Sequence, residues 1–330
     1  MATLMKNHRN GEPAHFRLAS TFLTRCQVLS PYVREGLLRG VVCPWEIEGA
    51  SPATSPVLED FHDTLEAIWV WSHHRTLTGS PDFDASLKEA WAYVLNNHHR
   101  FPSLEPYDAS HVLLASCEPD RVPPAGRVHA LRIRAVESIE EYLSGLEVYD
   151  GREYHDPFWL LFALCRYGKS CSDTNALRFV RRIRERWQRA GAFRVTPFNR
   201  EPRHIGPGGH DFFSSNANKI LAFSESSTTR EARRWLEDGS LRMIPDGFVN
   251  RHVDENPWNA HMAASMASAF NTTGNSTFLG AYFSIMDELR RRDKQGICSL
   301  PRQSNSYRGN ESWVAFFWSF AYAELCRGRE

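Results

Sequence analysis

The sequence has no excess of charge of either sign. Lys plus Arg equals Asp plus Glu at 39 each, so no global field draws nucleic acid or an anionic membrane. Basic runs at 178–189 and at Arg290-Arg291-Arg292 fall at helical spacing beside apolar residues and read as solvated helix faces. There is no CxxC pair, and the seven cysteines are odd in number and scattered; a structural zinc or a secreted disulfide framework is therefore not expected. The longest apolar stretch, Trp313 to Leu325, is interrupted by Ser319 and Glu324, and it falls short of the roughly 20 residues that span a bilayer. Met1 to Gly11 is charged and lacks the apolar centre of a signal peptide. Asn271-Thr272-Thr273, Asn275-Ser276-Thr277 and Asn310-Glu311-Ser312 match the glycosylation pattern, which carries no weight without a secretory signal. Gly206-Pro207-Gly208-Gly209 is followed by no Lys-Ser/Thr at phosphate-loop spacing. No segment alternates long enough to read as a sheet strand. A soluble, cytoplasmic protein without nucleic-acid partners or a membrane span is expected, and its oligomeric state is left open.

What is present is helical periodicity. The chain is 42% hydrophobic, enough for a sizeable core. Residues 1–12 read as a disordered start and 13–330 as one domain. Six polar clusters each stand just before an apolar helical run, marked by Asp63, Asp108, Asp156, Asp211, Asn256 and Glu311. They lie roughly 45 to 55 residues apart, the period of a repeat architecture. Tyr154-His155-Asp156-Pro157-Phe158-Trp159 is the clearest case.

Each apolar run is followed by a two-faced one. Asp63 to Thr78 stops at Gly79 and precedes Phe83 to Asn97; Asp108 to Cys117 precedes Val128 to Leu146. Pro157 to Tyr167, ending at Gly168, precedes Asn175 to Ala190, and Phe212 to Phe223 precedes Thr229 to Glu237. Pro257 to Thr273, ending at Gly274, precedes Thr277 to Arg292, and Ser312 to Cys326 closes the series. Runs such as Phe158 to Leu164 are apolar nearly all round, as a helix buried on every side should be, whereas Arg178-Phe179-Val180-Arg181-Arg182-Ile183 belongs to an outer layer. Phe16 to Leu38, broken near Pro31, supplies a further outer helix.

Six apolar runs paired with outer helices resemble the (α/α)6 toroid, the six-hairpin barrel of many glycoside hydrolases, polysaccharide lyases and sugar epimerases. A related α/α barrel occurs in terpenoid cyclases and protein prenyltransferases. The resemblance implies an all-α ring, the N-terminal helix closing the outer layer, and the marked loops gathered at one mouth. It implies an enzyme acting on a small molecule or oligosaccharide. The Asp-x-Asp-Asp and Gln-Trp motifs of class II cyclases are missing, as are the Cys and His placements of zinc prenyltransferases. Asn96-Asn97-His98-His99 is faintly like an alginate lyase motif, away from the marked loops.

Asp-Pro and Asn-Pro at a helix start are ordinary caps, so Asp156 and Asn256 have a structural reason to exist. Capping does not call for the preceding His62, His155 and His210. Hydrolysis of a glycoside needs a protonated carboxyl and a carboxylate, which Asp63, Asp156, Asp211, Glu255 and Glu311 are placed to supply. A lyase or epimerase needs a base, for which His155 and His210 are candidates. Trp69, Trp159, Trp258, Asn259, His261, Arg308 and Trp313 are candidate substrate contacts, although buried aromatics are ordinary core as often. No metal or cofactor is expected; only in the terpenoid alternative would Asp60-Phe61-His62-Asp63-Thr64-Leu65-Glu66 hold Mg²⁺ with a diphosphate. A ring that merely binds a ligand is the third reading.

Overall fold

Segments that are apolar all round and segments that are apolar on one side predict two kinds of helix, and the computed structural model contains both. It describes residues 16–27, 39–42, 61–100, 104–117, 125–146, 156–194, 212–243, 256–292 and 311–327. The helices are α1 (16–25), α2 (Phe61–Thr78), α3 (Asp84–Asn97), α4 (Pro106–Ala115), α5 (Ala125–Gly145) and α6 (Pro157–Ser170). There follow α7 (Thr174–Arg189), α8 (Phe212–Ser226), α9 (Thr229–Met243), α10 (Asn256–Thr273), α11 (Ser276–Arg292) and α12 (Glu311–Arg327). Among the described residues the only extended pairing is a single bridge between Gln27 and Val42. The fold is all-α.

Local chemistry accounts for the helix boundaries. The Asp156 carboxylate accepts from the Phe158 N–H at 2.9 Å, with Pro157 occupying the first helical position. Asp173 caps α7 in the same way, accepting from the N–H groups of Asn175 and Ala176. Gly79 and Gly274 take positive φ values of 71° and 72° and return their N–H groups to Arg75 and Phe270, the glycine stop that the sequence predicts. Gly168 behaves differently. Helix α6 runs through it to Ser170, and a Cβ at this position would stand 2.9 Å from the Leu177 side chain. The glycine there lets α7 approach and does not end the helix.

The even-numbered helices form a circuit. Helix α2 packs on α4, α4 on α6, α6 on α8, α8 on α10, α10 on α12, and α12 returns to α2. The odd-numbered ones lie against them: α3 on α2, α5 on α4 and α6, α7 on α6 and α8, α9 on α8 and α10, and α11 on α10. Helix α1 covers the α12–α2 seam. The Trp71 indole donates to the Ser20 carbonyl at 3.0 Å, and the Phe16 ring lies 5.8 Å from Tyr322 and 5.9 Å from His74. Every residue from Phe158 to Leu164 is buried, whereas α7 buries only the stripe Ala176, Phe179, Val180, Ile183, Arg184 and Trp187. Burial of these faces is the main stabilising term.

The circuit helices run in one direction. Residues near their starts meet one another, as Trp159 of α6 meets His261 of α10 and Ser110 of α4. Residues near their ends do likewise, as Arg166 of α6 meets Glu225 of α8 and Glu324 of α12. The circuit therefore has two chemically distinct ends. No helix among the described residues is long and apolar enough to cross a membrane.

Candidate active site

The N-terminal turns of α2 and α4 bring together a cluster of ionisable side chains. On α2, Asp63 and Glu66 are one turn apart, and His62 is four residues before Glu66, so all three share one side of the helix. On α4, Tyr107 and His111 are similarly stacked, with Asp108 beside them. Contact between the two helices then interleaves the sets.

His62 bridges two carboxylates. Its Nε2 lies 3.6 Å from Asp63 and its Nδ1 3.5 Å from Asp108. Burial alone would lower its pKa, but Asp63, the Asp108 hydrogen bond and Glu66 outweigh that and raise it to about 10. One turn further in, Glu66 and His111 are fully buried, with Oε1 and Nε2 3.0 Å apart in a bent approach. Burial pushes the Glu66 carboxyl above the usual carboxylate range, and His111 offsets only part of this. The tautomer follows from the partners. His111 Nδ1 is 2.9 Å from the Tyr107 carbonyl, which can only accept, so Nδ1 carries hydrogen. Nε2 then faces Glu66 across the 3.0 Å gap. Both Glu66 oxygens and His111 Nε2 are buried without a hydrogen-bond partner among the described residues, an unmet need at the centre of the cluster.

Aromatic rings floor this cluster. Tyr107 packs on His111 at 4.4 Å, and its hydroxyl pKa is raised well above the ordinary value by burial and then by Glu66, Asp63 and Asp108. Trp159 donates its indole N–H to Ser110 Oγ at 3.0 Å and lies 5.9 Å from His111. Phe316 of α12 contacts both His111 and Trp69. His261 stacks on Phe317 at 4.5 Å and meets Trp159 edge-on at 5.3 Å; burial lowers its pKa to about 3. Among the described residues no group of three or more His, Cys, Asp or Glu has the arrangement of a metal site.

The sequence-derived candidates fall in three groups. Asp63, Trp69, Trp159, Asn259 and His261 are buried on α2, α6 and α10, with Asp63 in the cluster and Trp159 and His261 at its edge. Asp156 is a cap, and its charge is felt by Lys219 of α8. The remaining candidates give less. Glu311, Trp258 and Trp313 are helical positions on α12 and α10 whose side chains lie outside the described residues, as do His155, His210, Asp211, Glu255 and Arg308 altogether. Residues 1–12 and 28–38 also lie outside them. From sequence, Asp108 is a marker without a catalytic role, Glu66 enters only through the Mg²⁺ alternative, and His111 has no role. Two spacings did carry a signal: His62 to Glu66 and Tyr107 to His111, both four residues apart on helices that face each other.

No family model matches the chain, and no curated protein matches it. One solved structure decides the likeness. The chain resembles the crystal structure of the Lin0763 protein from Listeria innocua. The TM-score is 0.56 at 10% identity, covering 96% of this chain and 97% of that one. At that identity the likeness shows the fold alone, over nearly the whole of both chains.

Proposed function

We propose that this chain is a carbohydrate-active enzyme of the α/α-toroid kind, with its acid–base centre between the first turns of α2 and α4. The observation that carries the reading is a buried carboxyl among other carboxyl groups. Burial raises the proton affinity of Glu66, which stands beside Asp63 and Asp108, and those two carboxylates hold the His62 ring protonated. Glycoside hydrolysis needs one carboxyl that keeps its proton and a second carboxylate near it, and a carboxyl raised by burial suits the first role. Glu66 has the role of general acid toward the leaving oxygen, and Asp63 or Asp108 that of base toward water. If the reaction is elimination or epimerisation, His111 is the base. The closed circuit of helices supports the toroid reading, as do the contacts between the starts of α4, α6 and α10.

A second reading, an isoprenoid or terpenoid cyclase, is favoured by one observation: Trp69, Trp159, Phe162, Phe316, Phe317 and Phe320 interlock inside the circuit. Their mutual contacts are those of a packed core as much as of a mould.

The test is turnover on a panel of aryl glycosides, uronate-containing polysaccharides and isoprenoid diphosphates, with Glu66→Gln and Asp108→Asn alongside. A saccharide should be turned over, and Glu66→Gln should lower kcat by about 100-fold or more with little change in Tm, as should Asp108→Asn where Asp108 rather than Asp63 is the base. Turnover confined to an isoprenoid diphosphate and abolished by EDTA would establish the second reading. Saccharide turnover untouched by either substitution would remove the centre from between α2 and α4.

A further inference from the structure

At the opposite end of the ring the helices α6, α8, α10 and α12 finish around a polar pocket of about 210 Å³. Its floor is a network of ion pairs. Arg166 is buried between Glu324, which it grips through both carboxylate oxygens, and Glu225 at 2.7 Å. Glu225 also receives Lys169 at 3.0 Å and both arms of Arg327. Burial by itself would raise the Glu225 carboxyl, yet Arg166, Arg327 and Lys169 hold it well below the usual carboxylate range. Asn271 of α10 completes the ring end by donating to the Glu324 carbonyl at 2.6 Å.

The hydrogen-bond inventory of this pocket is unbalanced. Both carboxylate oxygens of Glu225 and both of Glu324 are already occupied. The donors are not used up. Lys169 spends N–H groups on the Glu225 carboxylate and carbonyl, which leaves one over, and Arg327 commits two of its nitrogens to Glu225, leaving further N–H groups. Ser224 lines the pocket, and its Oγ is buried without a hydrogen-bond partner among the described residues. The charges point the same way, because among the described residues Arg166, Lys169 and Arg327 form ion pairs only with Glu225 and Glu324. Carbonyls at the helix ends oppose an anion, but those of Glu225 and Glu324 are already taken by Lys169 and Asn271, and Lys169 and Arg327 line the cavity. Lys169 and Arg327 keep 46% and 44% of their side chains exposed, so their spare donors are reachable from solvent.

From this donor excess we propose that the pocket binds a small oxyanion, a phosphate or a carboxylate, at a site separate from the acid–base centre. The volume is below that of a drug-sized pocket and suits an anion of few heavy atoms. Lys169 and Arg327 supply charge-assisted hydrogen bonds and Ser224 a neutral one. Occupancy ties together the ends of α6, α8 and α12.

The test is a series of melting temperatures of the full chain with inorganic phosphate, acetate or glycerol, at ionic strength held constant with chloride. Phosphate or acetate should raise Tm by about 2 °C per tenfold increase above its Kd, and the better of the two identifies the anion. Lys169→Met should shift the midpoint of that rise at least fivefold. Ser224→Ala should weaken it by a smaller factor and keeps the test readable if Lys169→Met does not fold. No rise with either anion, a rise equal in both variants, or a response to glycerol alone would overturn the assignment. None of these readouts involves turnover, so the result is independent of the acid–base centre.

Discussion

His261 offers a sharp physical test of how the helices bury their core. It is fully buried between Trp159 and Phe317, and burial depresses its pKa from the ordinary 6.5 to about 3. The folded chain therefore keeps this ring neutral, while the unfolded chain protonates it as pH falls through about 6.5. A depressed folded pKa means that the stability is whole above pH 6.5 and is lost progressively between about 6.5 and 3. Each unit of that interval is worth about 1.4 kcal/mol, so the loss is about 2 kcal/mol at pH 5 and about 5 kcal/mol when complete. For a chain of this length about 2 kcal/mol corresponds to a fall in Tm of about 3 °C. The perturbation is His261→Phe, which keeps an aromatic ring against Phe317 and removes the titration. Thermal melts at pH 7 and pH 5 of both proteins give the double difference, in which every other titrating group cancels. The native chain should lose about 3 °C more than the variant between the two pH values. Equal losses would show that the imidazole is protonated in the fold and would refute the reasoning.

Other consequences follow from single contacts. Removing Arg166, as Arg166→Met, strands the Glu324 carboxylate in the interior and should cost about 3–5 kcal/mol in chemical denaturation. Asp156→Ala should cost about 1 kcal/mol, the worth of a helix cap, and leave turnover unchanged; a large loss of kcat without loss of stability would give Asp156 a catalytic part. Asp108→Asn should bring the His62 pKa down from about 10, read by NMR titration of the imidazole, because one of the flanking charges is gone. Gly168→Ala should lower Tm, since its Cβ would press on Leu177.

Much of the architecture was legible because it depends on short-range chemistry. The contrast between Phe158 to Leu164, apolar all round, and the one-sided Arg178 to Ile183 sorted inner from outer helices without coordinates. Gly79, Gly274 and the Asp156-Pro157 start marked ends correctly, because φ > 0 and an N-terminal acceptor are requirements of the backbone itself. Gly168 was misread as a stop, because its demand comes from Leu177 on the next helix. Marked acids were a weaker guide to the site. Asp63 joined a cluster and Asp156 became a cap, yet both carry the same local signature of an acid at a helix start.

By itself, then, the sequence determined that the chain is helical, which segments have no polar face, and where many of the helices stop. These are properties of residues within a few positions of one another. Only the tertiary structure decided that Glu66 lies against His111, that His62 sits between Asp63 and Asp108, and that Arg166 joins Glu225 to Glu324 across the far end. Those pairings join residues up to 158 positions apart. Proton affinity depends on burial and on the charges that packing brings near, so the chemistry of the site is set where the helices meet.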